Sequence, residues 1–174
     1  MVAPLERELI HKADLIYVVS ELLSSKMPKH KVKLLTHGVD FDLFSKEKQK
    51  ADELSNITKP VIGFYGSLNA WLDQGLLHKL AVERPQYQIM LIGNIIENFD
   101  SLLSLNNVMH VPAVEHTRLA TFSQHWHVSI LPFVDNAQIR ACDPLKLKEY
   151  LATGTPIVST NFAAVRPYQE TVLI

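Results

Sequence analysis

The sequence predicts an α/β fold, a Rossmann-like parallel sheet with helices on both faces, and three features of the chain support this prediction. Short runs rich in β-branched and aromatic residues alternate with helical stretches. Most of these runs are apolar at successive positions, as expected of strands that are buried on both faces. The segments between them are in most cases long enough for the crossover connections that parallel strands require.

Eight strands are predicted. In chain order they are DLIYVVS (14–20), KVKLLT (31–36), PVIGFYG (60–66), YQIMLIG (87–93), NVMHVP (107–112), WHVSILPF (126–133), TPIVST (155–160) and TVLI (171–174). Five helices are predicted at residues 4–12, 21–27, 73–84, 115–125 and 145–153. Asp73 is expected to be an N-cap, Pro85 ends the third helix, and Gly154 ends the fifth as a left-handed C-cap.

A polar and charged stretch, SKEKQKADELSNITK, interrupts this pattern at residues 45–59. Such a composition predicts a linker, with room for a short solvated helix. The chain is therefore divided into residues 1–45, a linker at residues 46–59, and a longer α/β unit at residues 60–174.

Composition narrows the possible functions. The chain has 174 residues, of which 47% are hydrophobic, so it can bury a sizeable core. Its formal net charge of -1 gives no reason to expect nucleic acid as a partner. Cys142 has no second cysteine with which to pair, no metal site is expected, and a reducing, cytoplasmic location is favoured. No apolar run approaches the ~18 residues of a membrane-spanning helix, and no signal peptide is expected.

The stretch DPLKLKEYLATGTPIVST, residues 143–160, carries the strongest functional signal. WHVSILPF leads through DNAQIRACD, predicted as a loop, into a helix that begins near Pro144, with Asp143 as its N-cap. Ligands of open parallel sheets bind beyond the carboxyl ends of the strands, where helices begin. A helix N-terminus with Arg140 and Lys146 nearby would bind phosphate. Glu149, further along, could accept hydrogen bonds from the two hydroxyls of a ribose.

Each of these residues also has a purely structural interpretation. Glu149 could pair with Lys146 at i−3 on a solvated helix face, and Lys146 and Arg140 could be ordinary surface cations. Gly66 could be a strand-end turn, although a glycine there also lets the backbone approach a phosphate closely. His37 could line a cleft between domains or be a simple loop residue.

Several motifs, in their order along the chain, resemble the GT-B-fold glycosyltransferases of the group 1 type. PLKLKEYLATGTPIVST is similar to the signature of their C-terminal, nucleotide-sugar-binding domain. ADLIYVVSELL followed by KVKLLTHGVDFDLF is similar to the end of their N-terminal domain and the crossing segment. PVIGFYGSLNAWLD, RPQYQIMLIG, NVMHVPAVEHTRLATF and HVSILPF then follow in the order found in the family. The resemblance covers nearly all of the chain.

The resemblance implies that residues 1–45 are the end of the N-terminal GT-B domain and its crossing segment. Residues 60–174 would be the nucleotide-sugar-binding domain, truncated at its C-terminus. The donor-binding residues would be Glu149, Lys146, Arg140, Gly66, Ser67, Asp143, Pro144 and Leu145. The loop at residues 112–115 would contact the nucleobase, largely through its backbone. No catalytic residue is identified, and no cofactor is expected besides the nucleotide diphosphate sugar that serves as donor.

The chain departs from the family pattern at two places. Ala141 stands where many relatives carry the first glutamate of an E-x(7)-E pair, near the donor sugar, whereas Glu149 matches the second. Ser67, Leu68 and Asn69 stand where many relatives place a basic residue for the diphosphate, which would leave more of that role to Arg140 and Lys146.

Three functions remain open from the sequence. The first is the donor-binding part of a glycosyltransferase of polysaccharide biosynthesis. Its glycan or lipid-linked acceptor would bind through the missing N-terminal domain, and the full-length enzyme could associate peripherally with a membrane. The second is a nucleotide-sugar epimerase of the same fold. The third is a non-catalytic nucleotide-binding or interaction module, because fold alone does not fix function.

Overall fold

All eight predicted strands are present in the computed structural model, which describes residues 2–174, with side chains from Pro4 onward. The strands are β1 Ile16–Val18, β2 Val32–Leu34, β3 Val61–Tyr65, β4 Gln88–Ile92, β5 Val108–Val111, β6 Val128–Leu131, β7 Ile157–Ser159 and β8 Val172–Leu173. β1 and β2 form a small parallel sheet, and the other six form a second sheet in the order β5-β4-β3-β6-β7-β8. Every pairing between these strands is parallel, which confirms the predicted fold class.

The order of strands in the large sheet creates a switch point between β3 and β6. From β3 the chain moves outward through β4 to β5, then returns to pair β6 with β3 and continues outward through β7 to β8. In the register, Ile62 of β3 lies opposite Ile89 of β4 on one side and Val128 of β6 on the other. Connections that leave neighbouring strands in opposite directions open a crevice at their carboxyl ends, and ligands of open α/β sheets bind there.

The helices agree with the prediction where the sequence pattern is long and differ where it is short. They are α1 Val2–Lys12, α2 Glu21–Ser24, α3 Phe41–Ser45, α4 Gln74–Glu83, α5 Asp100–Leu103, α6 Leu119–Ser123, α7 Ala137–Ala141 and α8 Leu145–Thr153. Three 3₁₀ segments accompany them, at Asp52–Leu54, His116–Arg118 and Ala163–Tyr168. Asp73 caps α4, and Gly154 ends α8 in the left-handed conformation, as predicted.

The prediction of one helix over residues 115–125 was wrong, because that stretch divides into the 3₁₀ turn at His116–Arg118 and α6. The helix predicted at residues 21–27 ends at Ser24. The segments α3 and α5 were not predicted, since helices of four or five residues carry too little periodicity to be recognised.

The approach to α8 differs from the prediction in two ways. The segment DNAQIRACD is not a loop throughout, because residues 137–141 form α7, whose N-cap Asn136 accepts a hydrogen bond from the Ile139 N–H at 2.8 Å. Asp143 is not the N-cap of α8; Pro144 holds that position in an extended conformation, and no side chain caps the helix. The Asp143 carboxylate instead accepts a hydrogen bond from the backbone N–H of His37 at 2.9 Å.

The polar stretch at residues 46–59 packs against the large sheet unit. Ala51 and Leu54 are buried, and the Ala51 N–H donates to the Thr121 carbonyl at 3.0 Å. The Lys48 N–H donates to the side-chain oxygen of Gln124 at 2.9 Å. The short helix that the prediction allowed here is the 3₁₀ turn at Asp52–Leu54, and the burial of Ala51 and Leu54 anchors one side of it to the core.

Candidate functional site

A cleft of ≈ 200 Å³ lies at the carboxyl ends of β3 and β4, beside the loop that follows β5. Its lining residues are Tyr65, Gly66, Ser67, Ile92, Gly93, Asn94, Ala113, Val114 and Leu119. Two of the predicted donor-binding residues, Gly66 and Ser67, therefore lie together in the cleft. Ala113 and Val114 place the predicted nucleobase loop at the same cleft.

The floor of the cleft is formed by backbone packed against backbone. Gly66 and Gly93 have φ values of +139° and +143°, a region that L side chains rarely adopt. A Cβ on Gly93 would lie 2.2 Å from the carbonyl oxygen of Gly66. Glycine is therefore required at residue 93 both by its conformation and by the close approach of the two strand ends, which leaves backbone groups bare for a ligand.

Lys146 extends from the first turn of α8 to Gly66. A Cβ on Gly66 would lie 2.9 Å from Lys146 Cε and 3.1 Å from Nζ. The ammonium lies 5.6 Å from the ring centroid of Phe64 and 5.9 Å from that of Phe133. Within residues 4–174 it forms no ion pair or hydrogen bond with another side chain.

Burial lowers the pKa of Lys146, and the nearby charge of Glu149 acts in the opposite direction. A desolvated cation beside aromatic rings, with no paired anion, is an electrostatic cost unless an anion binds there. Lys146 is therefore a half-buried lysine held against the backbone of Gly66 and two aromatic rings, and it differs in this from a fully solvated surface lysine.

Glu149 lies one turn further along α8 and is buried. Its Oε1 accepts a hydrogen bond from Nε2 of His116 at 2.8 Å. The sequence-based alternative, a pair with Lys146 on a solvated face, is wrong because α8 turns Glu149 toward the protein interior and His116 takes its carboxylate. His116 was not predicted as a site residue, although it lies within the motif NVMHVPAVEHTRLATF, because only the fold brings it to Glu149.

Tyr65 connects Glu149 to the cleft. Its backbone N–H donates to the hydroxyl of Tyr150 on α8 at 3.1 Å, which ties the end of β3 to that helix. Its own hydroxyl is buried and has no hydrogen-bond partner in the part of the chain that the structure describes. Burial raises the pKa of Tyr65 well above its usual value, with smaller contributions in the same direction from Tyr150 and Glu149. The carboxylate of Glu149 therefore lies close to the ring that lines the cleft.

Arg140 lies elsewhere. On α7 it forms two hydrogen bonds with Asp135, Nε to Oδ1 at 2.6 Å and a terminal nitrogen to Oδ2 at 2.7 Å. The hydrogen bond from Arg140 lowers the pKa of Asp135. Arg140 lines a second cleft, of ≈ 320 Å³, together with Ser20, Thr36 and Lys148. The structure does not bring it into the cleft that Gly66 and Ser67 line.

Asp143, Pro144 and Leu145 form the approach to α8 and its first residue. Asp143 is buried, and its Oδ1 lies 3.4 Å from Nζ of Lys148. Its carbonyl oxygen accepts a hydrogen bond from Nδ1 of His37 at 2.7 Å. The hydroxyl of Ser20 donates to the carbonyl oxygen of Ala141 at 2.8 Å. Side chains from residues 1–45 thus fix the segment that leads into α8.

Two further observations concern other kinds of site. Among residues 4–174, no three histidine, cysteine, aspartate or glutamate side chains gather as a metal site would require. None of the described helices has the length and apolar character needed to cross a bilayer.

Comparison with known proteins gives one relative in sequence and several in structure. No family model matches the chain. It is 29% identical over 177 residues to a protein of Bacillus subtilis (strain 168) named "Putative teichuronic acid biosynthesis glycosyltransferase TuaH", and the match covers 95% of this chain and 45% of that protein.

Among solved structures, Anabaena HepE in complex with UDP-glucose superposes with a TM-score of 0.72 at 15% identity, over 91% of this chain and 48% of HepE. A sucrose-phosphate synthase of Thermosynechococcus elongatus gives a TM-score of 0.67 at 19% identity, over 94% of this chain and 44% of that one. These likenesses confirm the fold that the motifs predicted. The chain spans about half the length of the proteins that it matches.

Proposed function

We propose that this chain, which has the fold of the C-terminal half of GT-B glycosyltransferases, binds the nucleotide diphosphate sugar donor of such an enzyme. One observation carries the proposal: Lys146, a half-buried cation that pairs with no acidic side chain among residues 4–174, lies against Gly66 at the carboxyl end of β3. The first N–H groups of α8 have no partner within the helix and add a partial positive charge to the same place. Together they form a site for the diphosphate.

We assign the remaining parts of the nucleotide to groups in and beside the same cleft. In the proposed complex, Glu149 binds the ribose, because a carboxylate can accept hydrogen bonds from two neighbouring hydroxyls. The base lies against the loop of Ala113 and Val114, which lines the cleft. UDP-sugars are the first donors to test, because HepE, which shares the fold, is described in complex with UDP-glucose.

We propose only a secondary role in diphosphate binding for Arg140. Its charge is exposed and already paired with Asp135, and it lines a different cleft. It can approach the diphosphate or the sugar only if it leaves Asp135. We therefore assign the diphosphate chiefly to Lys146 and the N-terminus of α8, with Ser67, Asp143, Pro144 and Leu145 contributing backbone and shape.

We propose that the whole protein transfers a sugar from its donor to an acceptor. The sequence relative is named as a glycosyltransferase, and a structural neighbour as a synthase, which favours transfer over epimerisation or a purely structural role. Catalysis of this kind consists of positioning the donor and stabilising the leaving diphosphate. The name of the Bacillus subtilis relative supports a place in polysaccharide biosynthesis. The single cysteine, Cys142, supports a cytoplasmic location.

We also propose that residues 1–45 belong to a second domain, to which the acceptor would bind. Two observations support this assignment. β1 and β2 form a sheet of their own, separate from the six-stranded sheet. The leucines at residues 5, 9 and 15 and Tyr17 line an apolar groove of ≈ 580 Å³ beside it.

The proposal is tested by ligand-induced stabilisation. UDP and GDP should raise the unfolding midpoint more than UMP and GMP, because Lys146 and the start of α8 face the diphosphate. A ligand at 100 times its dissociation constant stabilises a fold by about 2.7 kcal/mol. Lys146→Met should weaken UDP binding about tenfold or more, the effect of losing one hydrogen bond to a charged group, and should reduce the preference over UMP.

The matched control is Lys26→Met, since Lys26 is an exposed lysine that lines neither cleft. Absence of any stabilisation by nucleotides would reject the proposed function. Equal stabilisation by UDP and UMP, unaffected by Lys146→Met, would reject the assignment of the diphosphate to Lys146.

A further inference from the structure

His116 covers the one carboxylate that is expected to bind ribose. Its Nε2 donates to Oε1 of Glu149 at 2.8 Å, and this is the hydrogen bond that the carboxylate makes within residues 4–174. The Glu149 side chain is 8% exposed, whereas that of His116 is 57% exposed. The imidazole therefore lies between the carboxylate and solvent.

Part of the surroundings of Glu149 is an aromatic cluster. It precedes Tyr150, which is fully buried, and Tyr150 packs edge-on against Tyr65 with the ring centroids 4.8 Å apart. Trp126 packs against both tyrosines, at 5.9 Å from each. Because this aromatic cluster forms part of the core, a ligand cannot reach the carboxylate through it.

The position of His116 along the chain places it at the cleft. It starts the 3₁₀ turn that follows Ala113 and Val114 and precedes Leu119, and these three residues line the cleft. Its ring packs edge-on against Phe44, with centroids 5.4 Å apart. Contact with Phe44 gives the imidazole a place to remain after it releases Glu149.

We propose that His116 is a specificity-determining residue that occupies the ribose position on Glu149 and is replaced there by the ribose hydroxyls when a nucleotide binds. This inference rests on the proposed function. A ribonucleotide replaces the imidazole N–H with hydroxyl donors, so the carboxylate keeps its hydrogen bonds. A nucleotide without the 2′ and 3′ hydroxyls has nothing to offer Glu149 and leaves His116 in place. His116 thus makes ribose recognition conditional on an exchange of hydrogen-bond donors.

The test is the affinity of wild type and His116→Ala for UDP and for its 2′,3′-dideoxy analogue, measured by titration calorimetry. His116→Ala should bind UDP more tightly by about tenfold or more, the change that corresponds to one hydrogen bond to a charged group that no longer has to be broken. Affinity for the dideoxy analogue should not change. His30→Ala, which removes an exposed histidine that lines neither cleft, is the matched control.

Two additional measurements separate this role from a structural one. In a Glu149→Ala background, His116→Ala should no longer alter UDP affinity, because the two residues act through one contact. The imidazole NMR signals of His116 should shift on addition of UDP but not of the dideoxy analogue, while those of His30 stay unchanged.

Weaker UDP binding by His116→Ala would overturn the inference, because the histidine would then orient Glu149 for the ribose. Unchanged UDP affinity, or an equal gain for both ligands, would overturn it as well. If UDP bound neither wild type nor His116→Ala, the proposed function itself would fail; if UDP bound and only the His116 effect were absent, the proposed function would stand without this refinement.

Discussion

At the scale of single residues, the site contains groups whose placement lowers the stability of the unliganded fold. Lys146 has no anionic partner, and the Tyr65 hydroxyl has no hydrogen-bond partner among the described residues. A buried polar group without a partner costs about 1–3 kcal/mol. Such costs are concentrated where a ligand is expected to offset them, and in this protein both lie at the carboxyl end of β3.

The lowered pKa of Lys146 predicts how stability depends on pH. Between that lowered pKa and the usual value of 10.5, the unfolded chain binds more protons than the folded one, so the stability of the unliganded protein should rise with pH. Lys146→Met should lose this rise, and at pH 7 its unfolding midpoint should equal or exceed that of wild type. Affinity for UDP should fall as pH passes above the lowered pKa, because the neutral amine no longer attracts phosphate.

Urea unfolding of wild type, Lys146→Met and Lys26→Met between pH 7 and pH 10.5 checks this prediction. The other lysines titrate alike in all three proteins, so only the difference between curves matters. Parallel curves for wild type and Lys146→Met would show that the ammonium is not held in a desolvated position.

At the scale of elements, the site depends on the close approach of two strand ends. The Gly66 N–H donates to the Ile92 carbonyl at 2.8 Å, and the Gly93 N–H donates to the Val111 carbonyl at 3.0 Å. β3, β4 and β5 therefore stay in register up to their carboxyl ends. Inside β3 a Cβ on Gly63 would fall within 2.3 Å of the Trp126 ring, so that glycine lets the indole lie directly on the sheet.

Gly93→Ala should destabilise the fold by about 3 kcal/mol or more, from the clash with the Gly66 carbonyl and the strain of a positive φ. Gly75→Ala is the control, because a Cβ at that exposed position of α4 meets only Asp73 Oδ1, at 3.4 Å. That change should stabilise by up to about 1 kcal/mol, since alanine is the better helix former. Urea denaturation measures both; a Gly93→Ala variant within about 1 kcal/mol of wild type would contradict the packing described for the cleft floor.

At the scale of the whole molecule, residues 1–45 contact the larger α/β unit, residues 60–174, at the start of α8. Ser20 and His37 from the first 45 residues hold the backbone of Ala141 and Asp143, and α3 packs beside α8. Residues 1–45 thus help to hold the segment that leads into α8 in place.

The 174-residue chain should bind a donor but transfer no sugar by itself, because it corresponds to less than half the length of the Bacillus subtilis relative. UDP-glucose and related donors should raise its unfolding midpoint, while assays for released UDP and for glycosylated products should stay at background. Turnover by this chain alone would contradict the assignment of the acceptor site to a second domain.

The sequence by itself determined the fold class and the number of strands. Buried parallel strands have apolar residues at successive positions, and all eight of these runs were recognisable because that pattern is local. Gly154 and Asp73 were assigned correctly for the same reason, since capping depends on a few neighbouring residues. The helix at Leu145–Thr153 and its placement beyond a strand end also followed from local pattern.

Only the tertiary structure decided which side chains meet. His116 and Glu149 lie 33 positions apart and His37 and Asp143 lie 106 apart, and no local rule relates them. Asp143 was expected to cap α8 because capping is a local preference, yet its carboxylate binds the backbone of a distant segment instead. Arg140 is near Lys146 in sequence, but it lies on α7 whereas Lys146 lies on α8. Arg140 also forms an ion pair with Asp135. Contacts between distant segments depend on the packing of whole elements. The ion pairs and hydrogen bonds of the site could therefore be identified only in the folded protein.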